Sequence, residues 1–291
     1  MTAILVDASG YIYRAFYVQP TLVRTDGTPV GCIHGYLRML WNLKKRHAGD
    51  THFGVIFDKG RCATRTALHP GYKANRPPIP EDMRIQLSMI RDATRAFGIP
   101  VVEQDNVEAD DLIASYAAAF RANGDDVLIV SADKDMFQLL DDEDGLVAMY
   151  DPVKERMIEP ADVVAKLGVG PRLAIDAQAL IGDATDNVPG VPKIGVKTAG
   201  ALLAQFGSLD AVLDNWQAIT QRAVRDSIML NRDKALLSRD LVTLNRHLPL
   251  PLPLKALEAK DVTVGPLLAF CQEMEFASLG ADIAAFYQVN A

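Results

Sequence analysis

An α/β domain with a mostly parallel sheet, followed by an all-helical domain, is the architecture this sequence predicts, on three observations. Short apolar runs alternate with amphipathic segments over the first half, the pattern of a sheet covered by helices on both faces. Three of those runs lead into aspartate: Ala3-Ile4-Leu5-Val6 into Asp7, Gly54-Val55-Ile56-Phe57 into Asp58, and the run through Val130 into Ser131-Ala132-Asp133. After about Glu159 the strand signals fade and helical ones take over.

Taken in order, strands are expected at residues 3–6, 53–57, 100–103, 127–130 and 146–149, with helices between them. The clearest helix covers 107–122: Asn106 suits its N-cap, Glu108, Asp110 and Asp111 suit its first turn, and Asn123-Gly124 stops it. Between 60 and 80 the pattern breaks. That stretch carries Arg61, Arg65, Tyr72, Lys73 and Arg76 and closes on Pro77-Pro78-Ile79-Pro80, a long basic excursion of a kind that is often functional. Being polar and Pro-rich, it is expected to stay mobile until a ligand orders it. The division falls at 1–165 and 166–291. From Pro160 onward helices are expected at 160–166, 171–181, 196–206, 209–215 and 232–239. Pro249, Pro251 and Pro253 mark an extended connector, and a last helix at 265–276 packs back on the body.

With 291 residues, 49% apolar and 23% charged, the chain is neither disordered nor, lacking a run of about 18 to 20 apolar residues, membrane-spanning. The Met1 to Asp7 segment lacks the cationic flank of a secretory leader, so a cytosolic setting is expected. Cys32, Cys62 and Cys271 are widely separated, which argues against a disulfide framework or zinc site, and the five histidines form no ligand-spaced pair. A net charge of −7 counts against a nucleic-acid partner until the acids are located.

In open α/β sheets ligands bind beyond the carboxyl ends of the strands. Asp7, Asp58, Asp133 and Asp135 should therefore converge on one rim, joined by Glu108, Asp110 and Asp111 from the start of the 107–122 helix. Asp183 and Asp186, in Gly182-Asp183-Ala184-Thr185-Asp186-Asn187, close a further helix. Singly, each of these acids is an ordinary cap or turn residue. Crowded together they repel and cannot all stay ionised without cations, and oxygen-only ligands select hard ions, Mg²⁺ or Mn²⁺ where a phosphate completes the shell. Setting these nine aside leaves 28 acids against 30 Lys and Arg, so the rest of the chain is slightly basic and the excursion can face phosphate.

Residues Gly190 to Ala199 nearly spell a P-loop, but Val196 stands where the lysine belongs and no strand leads in. They fit a turn between two helices whose N–H groups grip a phosphate, with Gly190 and Gly195 allowing close approach and Lys193 and Lys197 adding charge. An ordinary interhelical loop fits these ten residues equally well. A phospho-aspartate mechanism at Asp58 would want a second aspartate at Gly60, and no Gly-x-Ser-x-Gly elbow is present.

The runs Leu5-Val6-Asp7-Ala8-Ser9-Gly10-Tyr11-Ile12-Tyr13-Arg14-Ala15, Gly71-Tyr72-Lys73-Ala74-Asn75-Arg76, Glu108-Ala109-Asp110-Asp111, Asp133-Lys134-Asp135 and Gly182 to Asn187 resemble the 5′ nuclease (flap endonuclease) superfamily, in particular the N-terminal 5′→3′ exonuclease domain of bacterial DNA polymerase I. The resemblance runs in order from Ile4 to about Phe276. It implies a PIN-like three-layer domain with an arch, then a helical domain with a helix-three-turn-helix (helix-hairpin-helix-like) DNA clamp. Matched motif to motif, Asp7, Asp58, Glu108 and Asp110, with Asp111 nearby, surround a first Mg²⁺ or Mn²⁺. Asp133, Asp135, Asp183 and Asp186 serve a second. Lys73 and Arg76 match the arch pair at the scissile phosphate, Arg14 a phosphate contact, and Tyr13 an aromatic on which a base stacks. Arg65 and Tyr72 in the arch, and Gly190, Lys193, Gly195, Lys197 and Thr198 in the hairpin, are expected to bind DNA, with K⁺ as a candidate at the hairpin. Lys193 departs from the family, which usually has glycine there; Val196 and Ala8 depart more mildly.

The implied activity is structure-specific 5′→3′ exonuclease or flap endonuclease hydrolysis of DNA at a 5′ flap, nick or single/double-strand junction, in primer removal and repair. The implied protein is a monomer, cytoplasmic and associated with the bacterial nucleoid, with a covalently linked or separate DNA polymerase as partner. Three other readings share a rim of acids or a DNA-binding surface: a PIN-type ribonuclease, a non-catalytic DNA structure-binding module and a phosphomonoesterase.

Overall fold

The computed structural model describes residues 2–18, 22–47, 49–140, 146–260 and 262–288. In chain order its elements are β1 (Thr2–Asp7), α1 (Ala8–Val18), α2 (Gly31–Arg46), β2 (His52–Ile56), α3 (Ala63–Leu68), α4 (Glu81–Ala96), β3 (Val101–Val102), α5 (Ala109–Ala122), β4 (Asp126–Val130), β5 (Val147–Asp151), β6 (Arg156–Met157), α6 (Pro160–Leu167), α7 (Ala174–Ile181), α8 (Val196–Phe206), α9 (Leu209–Asp214), α10 (Arg222–Leu230), α11 (Arg232–Val242), α12 (Val264–Glu273) and α13 (Ala277–Tyr287).

The strands form one sheet in the order β3-β2-β1-β4-β5-β6, parallel throughout except for the antiparallel β5–β6 pair. The chain builds outward from β1 through β2 to β3, then crosses back to place β4 on the other side of β1. That reversal opens a crevice at the carboxyl end of β1 and β4, the place where such sheets bind ligands. Both faces are covered, as a parallel sheet requires. Ala3, Leu5, Ile129 and Met149 pack toward α5 and the helical region beyond it, whereas Ile4, Val6, Val55 and Val130 pack toward α1, α2 and α4.

Several elements differ from expectation. The third strand shrinks to Val101–Val102, and β6 and α10 carried no recognised sequence signal. Residues 171–181 divide into a 3-10 turn, Pro171–Leu173, and α7. Asn106 does not cap α5. It sits in a left-handed turn at φ 62°, and Glu108 occupies the N-cap position. Nor is the 60–80 excursion featureless: it contains α3 and a run of turns tied to the loop after α7. Lys73 N–H donates to Asp186 O at 2.9 Å, Asn75 Nδ2 to Ala184 O at 2.7 Å, and Asn187 Nδ2 to Gly71 O at 2.8 Å.

The last helix expected from sequence does pack back on the body, and an unforeseen helix, α13, follows it there. Leu267, Phe270, Leu279 and Ile283 of α12 and α13 share the core of α1, α2 and α4, on the sheet face opposite α5. The proline-interrupted connector carries the chain there. Its Leu252 exchanges hydrogen bonds with the Tyr116 hydroxyl, and Leu257 packs so closely on Gly54 that a Cβ there would lie 2.8 Å from Leu257 Cδ2.

Candidate active site

Because β1, β2 and β4 are parallel and in register, the acids that follow them reach the same rim. Asp7 ends β1 and is buried. Its Oδ1 accepts from Ser9 N–H at 2.9 Å and Ser9 Oγ at 2.6 Å, and its Oδ2 from Ser131 Oγ at 2.9 Å, which ties β1 to the segment after β4. Asp58 accepts from the Ala109 N–H at 2.9 Å, so the strand-end carboxylate caps α5 from outside the helix. Asp110 sits in the first turn of α5.

These acids feel one another. Burial, with Asp58 and Asp133 nearby, pushes the Asp7 carboxyl up to about 6. Burial and then the charges of Asp133, Asp7 and Asp58 push Asp110 well above the carboxylate range. Among the described residues no Lys or Arg forms an ion pair with either. A crowded all-oxygen set, two of whose members, Asp7 and Asp110, resist ionisation, fits a hard divalent ion, so Asp7, Asp58, Asp110 and Asp133 are the residues that suit one.

The second group lies across the junction with the helical domain. Asp133 caps the 3-10 helix Lys134–Leu139 by accepting Asp135 N–H at 2.9 Å. Burial, then Asp133, pushes Asp135 up to about 7. Asp183 and Asp186 come from the loop between α7 and α8. This loop closes tightly: Asp183 and Val188 exchange backbone hydrogen bonds, and Gly182 and Gly190 meet backbone to backbone at positive φ, where a Cβ on either would lie under 3 Å from its neighbour's atoms. Asp183 pairs with Lys134 at 2.8 Å; burial raises its carboxyl, but the Lys134 ammonium outweighs that and holds it low. Asp186 accepts from Arg76 at 2.5 and 3.0 Å and lies 3.6 Å from Lys73 Nζ. Lys73 also donates to Glu108. Burial opposes the charges of Glu108 and Lys73, yet each remains ionised, Glu108 low and Lys73 high.

Four sequence expectations need correction. Arg65 is not on a DNA-facing surface but buried, its Nη1 donating to Glu108 at 2.6 Å and Asp111 at 2.5 Å, its Nη2 to Asp111 at 2.9 Å and Thr243 O at 3.0 Å, and its Nε to Leu241 O at 2.7 Å. Asp111 is correspondingly a partner of Arg65 and of the Asn245 N–H at 2.8 Å, turned from the rim to the domain junction. Cys62, Glu108 and Asp111 come close enough to suggest a metal cluster, but the Arg65 guanidinium bonds to all three and supplies their cation. Tyr72 is buried with its hydroxyl on Glu108 at 3.2 Å. Gly190 is also buried, and its N–H is spent on Ser238 Oγ at 2.9 Å.

The remaining hairpin residues do face outward. Gly195 is the N-cap of α8, with no side chain capping that helix, and Lys193 and Lys197 are exposed with Thr198 half-buried beside them. Lys193 takes φ 68°, the left-handed conformation that glycine adopts freely. On α1, Tyr13 is exposed and stacked near-parallel on Tyr17, while Arg14 donates to Pro152 O at 2.7 Å.

Comparison with known proteins shows the family and the fold. Residues 2–168 match the family described as "5'-3' exonuclease, N-terminal resolvase-like domain", and 169–264 match "5'-3' exonuclease, C-terminal SAM fold". The chain belongs to the 5′-3′ exonuclease family. A 5′-3′ exonuclease of Aquifex aeolicus is 32% identical over 99% of this chain and 96% of its own length. DNA polymerase I of Rhizobium leguminosarum is 45% identical over 96% of this chain, which spans only 28% of that polymerase. A structure of T5 5′-exonuclease with divalent metal ions (zinc) bound shares the fold, with a TM-score of 0.71 at 21% identity, covering 98% of this chain and 99% of that one. The two-part fold expected from sequence, a PIN-like α/β domain and then a helical one, is the fold of this family. Among the described residues no helix is long and apolar enough to cross a membrane.

For this exonuclease-family site, sequence reading missed Ser9, Ser131, Lys134 and Gln178. The first three had a signal, since they stand within two residues of strand-end acids in motifs already singled out. Gln178 had only a faint one, as a carboxamide in the otherwise apolar stretch Ala177 to Ile181.

Proposed function

We propose that this chain hydrolyses DNA phosphodiesters near junctions of single and double strands, releasing 5′-phosphorylated nucleotides or short oligonucleotides, with Mg²⁺ or Mn²⁺ as a pair of ions. The observation that carries this reading is the mutual repulsion of Asp7, Asp58, Asp110 and Asp133 at the crevice of the sheet, which calls for cations. Asp7, Asp58, Glu108 and Asp110 would hold one ion, and Asp133, Asp135, Asp183 and Asp186 the other. Bound there, such ions supply an activated water and neutralise the leaving 3′ oxygen.

The rest is the work of the chain itself. Lys73 and Arg76 now neutralise Glu108 and Asp186; exchanged onto a phosphate, they stabilise the charge that develops on its oxygens. Lys193, Gly195, Lys197 and Thr198, at the open N-terminus of α8, hold the duplex backbone without reading sequence. Tyr13 offers its face to a base near the cut. A DNA polymerase, joined or separate, would use the product end.

End-labelled 5′-flap, nicked and gapped DNA, incubated with and without Mg²⁺, tests the reading. Metal-dependent release of 5′ fragments is expected. Cleavage of RNA alone, hydrolysis of phosphate monoesters alone, or DNA binding without turnover would replace it with one of the rival readings.

A further inference from the structure

Gln178 stands in α7 with Ala177, Ala179 and Leu180 around it, all fully buried or nearly so, and is itself only 2% exposed. Its Nε2 donates to Asp135 Oδ1. Its Oε1 is buried and has no hydrogen-bond partner among the described residues. An unmet buried carbonyl is costly, and a leucine or methionine at this place would escape that cost. The carboxamide spans the junction of the two domains: Asp135 follows β4 of the sheet, whereas α7 leads into the loop bearing Asp183 and Asp186. With Oδ1 engaged by Gln178, Asp135 keeps Oδ2 free of any hydrogen bond among the described residues.

We propose that Gln178 is a positioning residue for the second dication: its Nε2 orients Asp135, and its Oε1 accepts a hydrogen bond from a water of the ion's hydration shell. The inference rests on the dication pair of the functional reading above. Mg²⁺ and related hard ions retain several waters when bound by carboxylates, so a donor for Oε1 comes with the ion. Outer partners of this kind typically alter metal affinity by about 10- to 100-fold. The same contact couples α7, and through it the DNA-holding loop, to occupancy of the second position.

Mn²⁺ titration of the DNA-free full chain, with free Mn²⁺ counted by electron paramagnetic resonance, tests this. The wild type should bind two ions. Gln178→Met should keep the tighter one unchanged and bind the weaker about 10- to 100-fold less well, with a metal-free Tm equal to or above the wild type's. In flap cleavage the Mg²⁺ requirement should rise while kcat at saturating Mg²⁺ holds. If Gln178→Met does not fold, Gln178→Asn, one methylene too short for the contact, is expected to behave in the same way. An unchanged isotherm overturns the inference and leaves the functional reading intact, as does equal weakening of both ions with a lowered Tm, which marks a merely structural role. A wild type that binds fewer than two ions overturns both.

Discussion

The two halves of the acidic rim manage the same repulsion differently. Around β1, Asp7 has the hydroxyls of Ser9 and Ser131 and the Ser9 N–H as partners, neither it nor Asp110 is in an ion pair among the described residues, and both carboxyls are pushed up by burial and by neighbouring acids. Across the domain junction, Asp183 and Asp186 already have cations, Lys134 and Arg76. The first half is preorganised by one domain's strand ends, and at Asp7 and Asp110 its electrostatic cost stands unrelieved, while Glu108 beside them is neutralised by Arg65 and Lys73. The second is assembled from both domains, and at Asp183 and Asp186 it is neutralised by residues that an ion or phosphate would displace under the proposed function. Under the proposed function, the contrast means that the first half attracts a cation and the second exchanges one.

The sharpest way to break this comparison is to empty the first half. Asp110→Asn should slow flap cleavage by roughly 10³-fold, the loss of several kcal/mol of charge stabilisation, with DNA affinity held within a few-fold; near wild-type single-turnover rates would show that the half is not catalytic. Next comes the cation that anchors the junction. Arg65→Met strands buried Glu108 and Asp111 and should cost about 3 to 5 kcal/mol in chemical denaturation, far more than an exposed arginine such as Arg61. Lys73→Ala should slow the chemical step by roughly 10²-fold with little change in binding, read in single turnovers.

A smaller effect tests the unrelieved cost itself. Asp7 rises from 3.8 to about 6 on folding, so its contribution to stability is fully present below about pH 4 and is lost as pH rises through 6. Metal-free Asp7→Asn should therefore gain up to about 3 kcal/mol over wild type at pH 8 and lose that advantage toward pH 4, followed by Tm against pH. A constant difference across that range would refute the assignment. Smallest of all, Lys197→Glu should weaken DNA binding without touching the rim and lower the salt dependence of affinity by about one to two phosphate contacts.

The sequence by itself determined the parallel sheet, the strand-end acids and the basic stretch beside them, because unbroken apolar runs alternating with amphipathic segments are a local signal of strands buried on both faces: once β1, β2 and β4 are parallel, Asp7, Asp58 and Asp133 must share a rim. It could not tell which basic or aromatic residues of the excursion face solvent, since α3 lies against α11 and that packing buries Arg65 and Tyr72. Nor did it show α13, or that α12 packs on the sheet face of α1, α2 and α4 rather than on that of α5, which the connector's path fixes. Only the tertiary structure decided that Asp111 belongs to Arg65 rather than to the rim, and that Gln178 meets Asp135. Such pairings depend on distances between segments remote in sequence, and no local propensity encodes them.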